Sequence, residues 1–410
     1  MFDVYEIRKD FPMLQEDRLM QGKRLVFLDN ASTTFKPYSV IKAMNRYYEE
    51  LTSNSHRGDY DLSYFNDLEI RKTREAVARF VNSEVNEVVF TSGDTEAINL
   101  VAYGYGLKYL KKGDAILISE VEHASNTLPW YRIKELTGCE IYFIETSGRI
   151  TPEEVEESFK KHPNIKLISI AAISNVLGYK VDIKKICEIA HSYNALMLVD
   201  GAQSVPHIKT DFKDLDIDFL TFSAHKMCGP TGVGALIGKY KLLEKMDPFM
   251  TGGGMNVTFN NKTDYEVLPA PAKFEAGTLN IAGLYGFKAA IEYIAKIGID
   301  NIEKYEKELY EYLMEKLDGV DNIIIYNKNP DNCMLTFNVK GIFPQDEATL
   351  LNSKGIAVRS GNHCAKMLPN LLDSIATVRM SAYFYTTKEE IDIFVDALLN
   401  GGDILDAYFN

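Results

Sequence analysis

A chain of 410 residues with 46% hydrophobic content is long enough for two packed domains, and the boundary between them can be discontinuous. Its 58 acidic and 45 basic residues leave a formal net charge of −13, which argues against a nucleic-acid binder. No apolar run reaches the length of a membrane span and Met1-Phe2-Asp3-Val4-Tyr5-Glu6 lacks the basic start and apolar core of a secretion signal, so a cytoplasmic location is expected.

Taken in order, the segment to about Leu25 has apolar residues at irregular helical spacing and is expected on the surface of the main body. Val26 to Thr34 passes from a short strand pattern into a polar turn, and Pro37 opens a helix that runs to Tyr48. Asn54-Ser55-His56-Arg57-Gly58 reads as a polar connection before a helical pattern over 67–80. A strand at 87–90 then leads into Thr91-Ser92-Gly93-Asp94-Thr95-Glu96, which opens a helical pattern over 97–107. Free N–H groups and the positive end of the helix dipole can hold a phosphate there. Ordinary helix capping explains the same residues, and the Asp94 side chain would repel a phosphate that it faced.

A buried strand at 115–119 is followed by His123, and further strand patterns at 140–144, 166–173 and 195–199 alternate with helical patterns over 152–161 and 182–193. This alternation predicts a largely parallel sheet whose carboxyl ends carry the chemistry. Two of those ends are polar: Asn175 follows one strand, and Asp200 and Gln203 follow another. Asp200 closes an almost wholly apolar run, so it needs a cationic partner to stay charged, unless it is simply a helix cap. The run Asp218-Phe219-Leu220-Thr221-Phe222 ends in Ser223-Ala224-His225-Lys226, with a Gly/Pro-rich stretch after it. A lysine beside a hydroxyl and an imidazole can be a Schiff-base lysine close to a cofactor phosphate, whereas alone it would be read as a surface lysine. Asp200 one strand earlier favours the first reading, because a carboxylate can pair with a protonated pyridine nitrogen.

Beyond Gly254 the polar stretch through Asp264 reads as an exposed hairpin, and a helical pattern over 283–317 leads out of the larger domain. Strand patterns at 322–326 and 333–339 mark a smaller one, giving expected domains of 20–295 and of 1–19 with 296–410. The five cysteines, Cys139, Cys187, Cys228, Cys333 and Cys364, are scattered without a Cys-x-x-Cys pair, so neither disulfides nor a metal site is expected. Cys364 sits beside His363 in a polar, glycine-containing loop where a thiol can be exposed and reactive, although most free cysteines are buried hydrophobes. Arg379 is read at the end of a short strand, and Arg359 lies upstream of the loop; a guanidinium suits a carboxylate through two parallel hydrogen bonds.

Asp200-Gly201-Ala202-Gln203-Ser204-Val205-Pro206-His207, Phe222 to Gly232 and Phe274-Glu275-Ala276-Gly277-Thr278 together resemble the class V aminotransferases, and within them the SufS-type (group II) cysteine desulfurases. The resemblance extends from Leu28 to Arg379. It implies an α/β chain with the pyridoxal 5′-phosphate-dependent transferase fold type I. By that resemblance Lys226 would hold the cofactor and move the substrate Cα proton, Asp200 would pair with the ring nitrogen, and His123 would stack on the ring and act as a catalytic residue in proton transfer. Asn175 and Gln203 would address the substrate and the ring oxygen. Thr95, Ser223 and His225, with the backbone of Asp94, would hold the phosphate, while Thr278 would reach the cofactor phosphate of a neighbouring subunit, implying a homodimer. Cys364 would accept sulfur from L-cysteine, with L-selenocysteine as a second substrate, and pass it to an acceptor protein for iron–sulfur cluster assembly or a related pathway. Arg379 and Arg359 would bind the substrate carboxylate. The alternatives are another class V activity, such as a selenocysteine lyase, C–S lyase or epimerase, or a silent sulfur-carrier scaffold. Tyr60, Ser92 and Asn362, and the segment Lys366-Met367-Leu368-Pro369, depart from the resembled pattern.

Overall fold

A computed structural model describes residues 2–55, 58–400 and 402, so His56 and Arg57 of the polar connection lie outside the described residues. At its centre are seven strands: β1 (Val88–Thr91), β2 (Ala115–Ile118), β3 (Glu140–Phe143), β4 (Ile165–Ala171), β5 (Leu196–Asp200), β6 (Phe219–Ser223) and β7 (Gly234–Gly238). They lie in the order β1-β7-β6-β5-β4-β2-β3. The run from β6 to β3 is parallel, and β7 is antiparallel to both neighbours. Most residues of these strands are buried, as the continuous apolar runs of a sheet covered on both faces require. Because the strands run parallel, Ala171, Asp200 and Ser223 finish at one edge, and the site is built there.

β7 was not evident in the sequence, since its Gly-Ala-Leu-Ile-Gly follows a Gly/Pro-rich stretch that reads as loop. Gly234 is needed where it stands: a Cβ would come within 2.6 Å of both Phe222 O and Gly93 Cα. The pattern over 283–317 is two helices, Ile281–Ile297 and Ile299–Lys316, separated by Gly298 at φ 88°. The helix expected over 67–80 is longer, Asp61–Val81, and that expected from 97 begins at Asp94, with Gly93 as its cap.

A second sheet holds β8 (Ile323–Ile325), β9 (Met334–Val339), β10 (Arg359–Gly361) and β11 (Thr377–Ser381), antiparallel throughout in the order β8-β9-β11-β10. Its core gathers Leu309, Phe337, Ile356 and Phe394 with Val26 and Leu28 from near the start of the chain. Val26–Phe27 pairs in parallel with Ile356–Ala357, which carries the polar turn at Asn30 to the edge of the central sheet. Arg379 is the central residue of β11 rather than its end, and stands opposite Arg359 of β10. Like charges placed opposite one another cost stability, so an anion between them is the economical partner.

The N-terminal segment is tied to the last helix by Arg8, buried, which donates to both Glu390 carboxylate oxygens (2.9 and 2.8 Å) and to Tyr385 O (2.7 Å). Removing one member strands the other charge in the interior. Arg8→Ala is therefore expected to lower unfolding free energy by about 3–5 kcal/mol, read from denaturant melts, without displacing any cleft residue.

Candidate active site

A cleft of ≈ 220 Å³ opens where the carboxyl ends of the central sheet meet the second sheet. On one wall is the N-terminus of helix Asp94–Val101. Gly93 before it has φ +156°, and a Cβ there would stand 3.2 Å from Ser223 Oγ. The Asp94 N–H donates to Ser223 Oγ (2.7 Å), and Thr95 Oγ1 shares a hydrogen with Ser125 Oγ (2.7 Å). His225 Nδ1 lies 3.3 Å from Thr33 Oγ1, and its carbonyl accepts from Thr34 Oγ1 (3.1 Å). Burial, with Lys226 and Lys36 nearby, lowers the His225 pKa to about 4, so the ring is neutral at physiological pH. Hydroxyls, N–H groups and a helix dipole thus converge on one spot suited to a phosphate.

The floor carries Asp200, whose Oδ1 accepts the Ala202 N–H (2.9 Å). Burial raises its pKa while Lys226 opposes the rise. Lys226 reaches the cleft from a single turn, Ala224–Lys226, directly after β6. Burial is the leading influence on its amine and lowers its pKa, against the pull of Asp200 and Asp94. Gln203 Nε2 donates to Ala31 O (2.7 Å).

His123 faces the same space. The Ser125 N–H donates to its Nδ1 (3.1 Å), so in the neutral ring Nδ1 is the acceptor and Nε2 carries the proton. Burial, then the cations Lys226, Arg359 and Arg379, lower its pKa to about 4 and keep it neutral. Behind it, buried Glu122 accepts from Ser119 Oγ (2.6 Å), Asn126 Nδ2 (2.8 Å) and Ala171 N (2.8 Å), which fixes the loop to β4.

The opposite wall comes from the second sheet. Buried Arg379 donates through Nη1 to Asn175 O (2.7 Å) and through Nη2 to Asp29 Oδ1 (3.0 Å) and Ser32 Oγ (2.8 Å). Arg359 Nη1 donates to the same Ser32 Oγ (2.8 Å), and its Nη2 is 3.8 Å from Cys364 Sγ. His363 and Cys364 both have positive φ, 51° and 60°. Their turn is pinned by Ala124 N donating to Cys364 O (2.7 Å) and Asn175 Nδ2 donating to His363 O (2.8 Å). Cys364 is half-buried in the cleft, while the other four cysteines are buried in packed interiors.

Of the residues singled out in the sequence, Asp94, Thr95, His123, Asn175, Asp200, Gln203, Ser223, His225, Lys226, Arg359, Cys364 and Arg379 all line this cleft. Thr278 does not; it lines a separate pocket with Ser92, Glu96 and Glu275. Sequence reasoning missed Ser32, Ser125 and His363 as lining residues. Ser32 had a signal in the polar turn after Val26, but nothing local says that it joins two arginines more than 320 residues away.

The residues fit pyridoxal phosphate. There is a lysine, a carboxylate at a strand end and a phosphate-type cradle, and four buried atoms of cleft-lining residues have no partner among the described residues: Asp94 Oδ1, Gln203 Oε1, His363 Nδ1 and Arg379 Nε. Arg379→Lys would keep a cation but lose the fork that suits a carboxylate. It is expected to raise KM for an amino-acid substrate by about ten- to a hundredfold, with cofactor uptake unchanged, as steady-state kinetics and cofactor titration would show.

The family model for class V aminotransferases matches residues 26–394. A protein of Halalkalibacterium halodurans described as a probable cysteine desulfurase is 43% identical over 399 residues, 97% of each chain. Among solved structures, an apo cysteine desulfurase from Thermococcus onnurineus superimposes with a TM-score of 0.90 at 34% identity, covering 96% of both chains. The cysteine desulfurase CsdA of Escherichia coli does so with a TM-score of 0.89 at 33% identity, covering 98% of both. With the fold type I architecture, the lysine and carboxylate of the cleft and this full-length likeness together, the chain belongs to the class V aminotransferase family and takes pyridoxal 5′-phosphate as its cofactor.

Proposed function

We propose that this chain is a cysteine desulfurase, converting L-cysteine to L-alanine and leaving the sulfur as a persulfide on Cys364. The observation that carries the reading is the Cys364 turn, held into the cleft opposite Lys226 and beside Arg359. The relatives described as cysteine desulfurases support it. When bound, the cofactor supplies an electron sink for charge that develops at the substrate Cα.

The chain's own residues do the rest. Arg379, with Nε unpartnered, receives the substrate carboxylate, and Asp200 offers its carboxylate to the ring nitrogen. Lys226 would hold the cofactor aldehyde, and its Nζ, when free, would take the substrate Cα proton. Burial favours the neutral amine that this step needs. His123 keeps a proton on Nε2 as a donor over the cleft. Cys364 Sγ forms a bond to the substrate sulfur as the Cβ–S bond breaks, and the electron pair of that bond stays with carbon, which is protonated. The carbon is reduced and the two sulfurs are oxidised, so no outside oxidant is needed. Arg359 places a cation against the reacting sulfur.

The same reading has the persulfide passed to an acceptor protein, as in iron–sulfur cluster assembly, and the half-buried position of Cys364 supports such access. It also has two copies of the chain assemble, which the position of Thr278 outside its own chain's cleft supports. It divides the chain into 20–295 and 1–19 with 296–410, with the second core in support, although Val26 and Leu28 pack into the smaller part. Five unpaired cysteines favour a reducing, cytoplasmic setting, and no helix among the described residues is long and apolar enough to cross a membrane. The test is product analysis: L-cysteine should yield alanine. Pyruvate and ammonia in its place would indicate a C–S lyase.

A further inference from the structure

One group in the cleft has no part in the reaction above. Asp94 is the first residue of its helix, only 7% exposed, with its carboxyl turned into the cleft and Oδ1 unpartnered. Its backbone N–H is bound to Ser223 Oγ, the hydroxyl assigned to the phosphate. A second buried carboxyl, Asp200, acts on it from the end of β5, and Lys226 acts on it from the turn after β6. His123, His225 and Arg379 face the same cleft from three other segments. Both histidines are neutral, and Arg379 is engaged by Asp29, so they do not cancel a charge on Asp94. On its own helix, Glu96 is turned to the Ser92 N–H (2.7 Å).

Beside the place where a phosphate belongs, two carboxyls therefore face one lysine, while Arg379 and Arg359 stand on the opposite wall and Arg359 turns to Ser32 and Cys364. A phosphate carries close to two negative charges at neutral pH, and an ionised carboxylate beside it in a partly desolvated cleft would repel it strongly. A protonated carboxyl would instead donate a hydrogen bond. We propose that Asp94 is a cofactor-retention residue: it holds the phosphate-bearing cofactor only while its carboxyl carries a proton, so that the loaded chain releases cofactor as the medium turns alkaline. This rests on the pyridoxal phosphate site described above.

The geometry favours the protonated form at neutral pH for two reasons. Burial removes the water that would solvate the anion, and Asp200 opposes a second negative charge, with the Thr221 hydroxyl and then Lys226 pulling the other way; together they raise the Asp94 pKa to about 8. The sign follows from linkage. The loaded cleft prefers the protonated acid, so affinity is flat below that range and falls as the proton is lost above it, by about tenfold per pH unit.

The test uses the full-length wild-type chain with Asp94→Asn and Asp94→Thr, titrated with pyridoxal phosphate and followed by absorbance between pH 6.5 and about 9.5, the span of the expected titration. Circular dichroism at each pH checks the fold, and two replacements guard against one failing to fold. The expected result is an apparent Kd that rises by about fivefold in wild type between pH 8 and 9, reverses on acidification, and grows by that same factor relative to either variant. Because Asp94 itself acts on the Lys226 amine, the three titrations are repeated on a Lys226→Ala background, where non-covalent uptake reports Asp94 alone. A wild-type Kd independent of pH, or variants that weaken in parallel with it, would overturn the role of Asp94. Failure of the wild type to take up cofactor at any pH would overturn the cofactor site itself, and the proposal with it.

Discussion

Lys226→Ala is expected to lower alanine formation from L-cysteine by about 10⁴-fold, the upper range for loss of a positioned proton-transfer group. The reason is that no second amine can take over. Lys36, another part-buried lysine near the site, spends its Nζ on Thr33 Oγ1 (3.1 Å) and the Thr34 carbonyl, and does not line the cleft. Lys226→Arg should not rescue activity, because a guanidinium stays charged and cannot accept the Cα proton. The same variants should bind cofactor without the covalent absorbance band, separating loss of the lysine from loss of the site. Substantial turnover in Lys226→Ala would mean that another group moves the proton.

The second large effect is expected at Cys364. Cys364→Ala should reduce turnover at least about a hundredfold, while cofactor uptake and its spectrum stay as in the wild type. Cys364→Ser should behave like alanine, because a hydroxyl of similar size does not form the sulfur–sulfur bond. His363 and Cys364 both take a left-handed backbone that costs non-glycine residues about 1–3 kcal/mol each, and the bonds to Ala124 and Asn175 hold them there. That expense is spent on aiming one thiol. Replacing Cys139, Cys187 or Cys333 by alanine should affect stability more than turnover, since burial raises the pKa of each thiol and keeps it protonated and inert. Cys228, close to Lys226 in sequence, is likewise buried, with its pKa raised to about 12.

How much of this was legible in the sequence depends on the range of the interactions. Asp200 and Lys226 stood out because a polar residue closing an apolar run is a local signal, and parallel strands deliver such ends to one edge. The phosphate cradle was half legible: a Ser/Thr/Asp turn before a helix is equally a cap, and only the fold brings Ser223 under the Asp94 N–H, 129 residues away. Arg379 was placed at a strand end because the run around it is short, whereas its pairing with both Arg359 and Thr336 puts it at the centre of β11. Ser125 escaped notice because its neighbours are ordinary loop residues; its worth lies in the two bonds that join His123 to Thr95. The burial of Asp94 could not be seen at all, since it comes from packing between strands and not from the residues beside it.

Mass spectrometry of the Cys364 peptide tests the central claim most directly. The cofactor-loaded chain would be mixed with one equivalent of L-cysteine without reductant, alkylated and digested. The account predicts one added sulfur atom on Cys364, in step with the alanine formed, and none on Cys139, Cys187, Cys228 or Cys333. Alanine formed with Cys364 left as a plain thiol, or at an undiminished rate in Cys364→Ala, would contradict it.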